Sequence, residues 1–124
     1  MANPNIVNVT SILGNSAQVS LTTTGATQLV SNAAASNRVL KINSITVANV
    51  DGTNAADITI NIYSAAALGG SAFPIVSTVS VPADATLIVT DKTTTFYLLE
   101  NQSIGAIAGT ASDLVVNISW EEIS

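Results

Sequence analysis

Apolar and polar residues alternate with a period of two over much of this chain. The clearest run is Asp113 to Ile123, where Leu114, Val116, Ile118 and Trp120 alternate with Val115, Asn117, Ser119 and Glu121. That period belongs to a strand with one buried face, which places Trp120 in the core. Asp57 to Ser64 alternates in the same way, with Ile58, Ile60 and Ile62 set against Thr59, Asn61 and Tyr63. From Arg38 to Val50 the apolar phase changes: Leu40 and Ile42 share one parity, Ile45 and Val47 the other. A β-bulge near Asn43 and Ser44 reconciles the two halves. Asp51-Gly52 is a turn signal, so strands 38–50 and 57–64 are expected to pair as a hairpin around a somewhat long loop.

Further strands are expected at Ile6 to Ile12, Ala17 to Thr22, Gln28 to Ser31, Ile75 to Val81, Thr86 to Thr90, Thr94 to Glu100 and Ser103 to Ala108, about ten in all. Turn chemistry separates them at Gly14-Asn15, Thr24-Gly25, Asn32 to Asn37, Leu68-Gly69-Gly70, Pro82 to Asp84, Glu100 to Gln102 and Gly109 to Ser112. The Ala-rich pieces Ala33 to Ala35 and Ala65 to Ala67 read as loops, because Asn, Ser and Gly flank them. Ile, Val and Thr supply about a third of the residues, which favours a pleated surface over a helix. The expected fold is all-β: one antiparallel β-sandwich or jelly-roll-like domain over residues 6–124, preceded by a polar N-terminal arm at 1–5. A chain of 124 residues closes one core of useful size, not two.

Composition changes this picture in one respect. Charged residues make up 9% of the chain, against roughly 25% in ordinary globular domains. Nearly half of the chain is Ala, Ser, Thr or Asn. Such a surface is poorly suited to a free monomer and well suited to burial against other proteins, where unpaired ions are costly to desolvate. A neutral, Thr- and Ser-coated extracellular domain is the other reading of the same composition. The net charge is −5, with only Arg38, Lys41 and Lys92 positive, which disfavours nucleic acid and anionic membrane as partners. No apolar run approaches the roughly 20 residues that span a bilayer. Met1 to Ile6 has neither the basic segment nor the apolar core of a signal peptide, so that secretory route is not indicated.

Candidate chemistry is sparse. There is no Cys and no His, which removes thiolate and imidazole ligands, Cys or His nucleophile and base pairs, and disulfides. The acids are Asp51, Asp57, Asp84, Asp91, Asp113, Glu100, Glu121 and Glu122. Most fall at turn positions, where Asp caps neighbouring backbone. Asn49, Asp51, Asn54 and Asp57 cluster within one loop, which keeps a bound cation open, but the spacing is not that of an EF-hand. Lys41 and Lys92 lack a Ser-x-x-Lys context, and Leu68-Gly69-Gly70-Ser71 matches no nucleotide-binding fingerprint. Trp120 and Tyr97 are the candidates for a sugar-stacking platform, against the core reading of Trp120. The sequons at Asn8, Asn101 and Asn117 are expected by chance in such a sequence. We therefore expect no enzyme and assign no catalytic, cofactor-binding or metal residue.

Three stretches carry a resemblance: Arg38 to Asp57 (RVLKINSITVANVDGTNAAD), Phe73 to Val89 (FPIVSTVSVPADATLIV) and Val115 to Ser124 (VVNISWEEIS). Together they resemble small virion structural proteins of tailed phages, notably cyanophages. The likeness is one of overall pattern beyond about residue 27, and no short motif in it is diagnostic. It implies a non-enzymatic component of a virion assembled in the host cytoplasm, which is a homo-oligomer bound to other virion proteins. The expected role is a capsid decoration or cement protein. A neck, tail or fibre-associated component and a carbohydrate or host-recognition β module remain open beside it.

Overall fold

In the computed structural model, which describes residues 4–124, the alternating runs become nine strands among the described residues: β1 (Ile12–Ser20), β2 (Thr27–Asn32), β3 (Val39–Asn49), β4 (Ala56–Ala65), β5 (Gly69–Val81), β6 (Thr86–Thr90), β7 (Phe96–Leu98), β8 (Gln102–Ala108) and β9 (Leu114–Ile123). They form two antiparallel sheets. One runs β1-β9-β3-β6, with β7 also beside β3; the other runs β2-β8-β4-β5. The pairings are nested, β1 with β9, β2 with β8, β3 with β6 and β7, and β4 with β5. A two-stranded ribbon folded at the β4–β5 turn, and wound so that successive pairs fall alternately into the two sheets, produces this order. That is the Greek-key winding of a jelly roll.

The core lies between the sheets. Ile42, Ile45 and Val47 of β3, Ile58 and Ile60 of β4, Ile104 of β8 and Val116 of β9 are wholly buried. Parity on β3 changes as expected from its sequence: the pairing with β9 shifts between Ile42 and Ser44, leaving Asn43 as the bulged residue. Without that extra residue, Ile45 and Val47 would face solvent. Leu114, Val116 and Ile118 are buried, whereas Trp120 is half-buried and packs against the rim of the core.

Several expectations need correction. Strands β3 and β4 do not form a hairpin; they belong to different sheets, and the loop between them crosses the sandwich. Both long edges of β3 are already paired, with β9 on one side and β6 and β7 on the other. Asp51-Gly52 therefore turns a crossover. The second correction lies near the N-terminus. Gly14 and Asn15 sit inside one continuous strand, β1, opposite Glu121 and Trp120. The segment expected as strand 6–12 begins instead as a turn, in which Asn5 Oδ1 accepts from the Val7 amide (3.0 Å) and Asn5 O from the Asn8 amide (3.1 Å), and its last residue, Ile12, opens β1. Likewise, Gly69 and Gly70 open β5, and the turn is made by residues 66–68.

Candidate interaction surfaces

Two of the acidic residues, Asp51 and Asp91, are held within their own turns. Asp51 Oδ1 accepts from the Thr53 amide (2.8 Å) and Oδ2 from Asn54 Nδ2 (3.2 Å). The Thr53 amide, then the Asn54 side chain, holds the Asp51 carboxyl below its ordinary value. Asp91 Oδ1 accepts from the Thr93 hydroxyl (2.6 Å) and amide (2.9 Å), and these two bonds, in that order, lower it likewise. Glu100 accepts from the Asn37 amide, and Glu122 pairs with Arg38 and accepts from Asn15.

In the loop whose sequence leaves a bound cation open, Asn49 is turned inward. Its Nδ2 donates to Asn54 O and Val81 O, both at 2.9 Å, and its Oδ1 accepts from the Asp51 amide (2.9 Å). Asp57 is exposed, and its carbonyl accepts from the Gly109 amide. Asn49 thus ties the crossover to the end of β5, while the Asp51 carboxyl closes the loop on itself. No group of three or more Asp or Glu side chains converges as a metal site among the described residues.

The two aromatics proposed as a platform lie on opposite faces of one sheet. Trp120 is opposite Ile42, whose side chain enters the core, while Tyr97 is opposite Lys41 on the outer face. Tyr97 joins Pro4, Ile6, Val39 and Leu99 in a shallow apolar depression of about 240 Å³. Pro4 and Asn5 of the expected arm are described and start at this depression; residues 1–3 lie outside the described residues.

A feature the sequence reading did not single out is a polar groove of about 490 Å³ lined by Lys41, Asn43, Ser44, Lys92, Thr95, Ser119 and Glu121. The β3 bulge puts Asn43 there, and two of the three cations of the chain line it. The phase change on β3 was the available signal; the approach of Lys92 depends on the non-local β3–β7 pairing.

Outside the second sheet, the β4–β5 turn folds back over β8. Ser103 Oγ donates to Ala65 O and accepts from the Leu68 amide, both at 2.8 Å, while Ser31 Oγ and Asn101 Oδ1 accept from the Ala67 and Ala66 amides. Ala67 and Leu68 both take left-handed backbone, at φ 56° and 60°. Leu68 and Tyr63 then lie over Gly105; a Cβ at Gly105 would come within 2.7 Å of Leu68 Cδ2.

No family model matches the chain. No curated protein matches it either. Among solved structures, it is similar to a chain from Bacillus endospore appendages, which form a novel family of disulfide-linked pili, with a TM-score of 0.54 and 15% identity over 92% of this chain and 88% of that one. The likeness is in the fold. At this identity it supports the β-sandwich architecture and transfers no residue roles.

Proposed function

We propose that this chain is a non-enzymatic structural protein of a tailed-phage virion, and that it acts as a decoration or cement protein on the head. The observation that carries the reading is the character of its surface. Among the described residues, Ile6, Val7, Ile12, Leu13, Val50, Phe73, Ile88, Tyr97 and Leu99 are exposed, on a chain with only 3 basic and 8 acidic residues. A free monomer with this balance is prone to associate; a subunit covered by neighbours is not. The jelly roll is compatible with this role, since viral capsid domains use it, but lectin domains use it as well. Asp51 and Asp91 are tied into turns, and the chain has no His or Cys to activate a hydroxyl. The similarity to a pilus chain also fits a protein that works as an assembled subunit. Covalent linkage of the kind named for those pili is closed to this sequence, which has no cysteine.

Quantitative mass spectrometry of purified particles tests the reading. We expect this chain at a copy number comparable to the major shell protein. A handful of copies per particle would move it to the neck, tail or fibre. Binding to a glycan array that is lost in Tyr97→Ala would favour the carbohydrate module instead.

A further inference from the structure

A sheet edge is a row of unpaired backbone N–H and C=O groups, and proteins blunt such edges with short strands, bulges, proline or charge. Three of the four sheet ends are blunted here. Strand β5 carries Pro74, several register shifts and a left-handed Thr78. Strand β2 has six residues and a register shift between Gln28 and Val30. At the fourth-strand side of the first sheet, β6 has five residues and β7 three. Strand β1 is different. It has nine residues, ILGNSAQVS, with no charge and no proline, and pairs with β9 in an unbroken register along one side. On its other side it has no strand neighbour among the described residues.

We propose that β1 pairs antiparallel with β1 of a second copy of this chain, about a two-fold axis at Ser16. Ser16 is the middle residue of β1, so this register engages all nine residues. It is also the register in which the side chains match. Leu13 faces the second copy's Val19, and Asn15 faces its Ala17, on the side that looks toward the core; Gly14 faces Gln18 and Ser16 faces Ser16 on the outer side. Leu13 is 58% exposed and Ile12 56% exposed in the single chain. Pairing therefore covers apolar surface while satisfying a row of backbone groups, and it brings no two like charges together. The first sheets of the two copies become one continuous sheet from β6 to β6. An isologous contact of this kind closes at a dimer. The inference stands apart from the virion reading, because it concerns the chain in solution.

The absence of native cysteine supplies a direct test. In the proposed register the two Ser16 Cα atoms are about 4.5–5.5 Å apart, within reach of a disulfide. Two Gln18 residues would be roughly 14 Å apart, beyond it. Mild oxidation of Ser16→Cys is expected to give a cross-linked dimer, and of Gln18→Cys a far smaller yield. Sedimentation of the unmodified chain should show a dimer. Ser16→Lys, an exposed substitution, should weaken dimerisation by about tenfold or more through like charge at the axis, with an unchanged circular dichroism spectrum. A monomeric wild-type chain, an open-ended polymer, equal cross-linking at both positions, or a folded Ser16→Lys dimer of undiminished affinity would overturn the proposal. Any of these results would leave the copy number in particles to be decided separately.

Discussion

At the scale of single residues, this protein is held by small polar side chains that finish what its backbone leaves open. Asn49 is the clearest case: one buried carboxamide bonds three backbone groups, two in its own crossover loop and one at the end of β5. The β4–β5 turn shows a cost carried for packing. Left-handed backbone at a non-glycine residue costs roughly 1–2 kcal/mol, and Ala67 and Leu68 both adopt it. Leu68 covers Gly105, whereas Ala67 is exposed. Ala67→Gly is therefore expected to raise stability by about 0.5–1 kcal/mol, read as a higher urea midpoint at unchanged slope. Asp51 gives a pH prediction of definite sign. Its folded carboxyl titrates below the ordinary value of 3.8. The stabilisation is thus present above that value and lost as pH falls through the folded one. Urea midpoints of wild type and Asp51→Ala should converge as the solution is acidified below 3.8. A constant difference would refute this linkage.

At the scale of elements, the strands with one continuous buried face were legible because burial writes a period of two into them. Strands β4, β6 and β9 lie close to where alternation places them, and the β3 bulge was legible as a change of phase. Deleting Asn43 tests that bulge: it turns Ile45 and Val47 outward, at about 1.5–3 kcal/mol for each side chain, and the variant should fail to unfold cooperatively in urea. What was not legible depends on non-local pairing. Asp51-Gly52 has the same local chemistry in a hairpin and in a crossover, and only the filling of both β3 edges decides between them. Gly14-Asn15 has turn chemistry too, yet the pairing with β9 draws it into a strand. The polar groove and the bare β1 edge were illegible for the same reason, since sheet order determines both.

At the scale of the whole molecule, nested pairing and scarce charge act together. The jelly roll encloses an aliphatic core and turns outward two broad sheet faces of Ser, Thr, Asn and scattered apolar residues. Such faces have little to keep copies apart and much to gain from being covered. On the function proposed above, this chain is a subunit whose finished environment is other protein. Electron microscopy of purified tailed-phage particles from cells that carry this sequence tests that claim most directly. The account predicts a nine-stranded jelly roll of this topology at symmetry-related positions over the head. Particles lacking it, with the chain recovered only as a free species in the lysate, would contradict it.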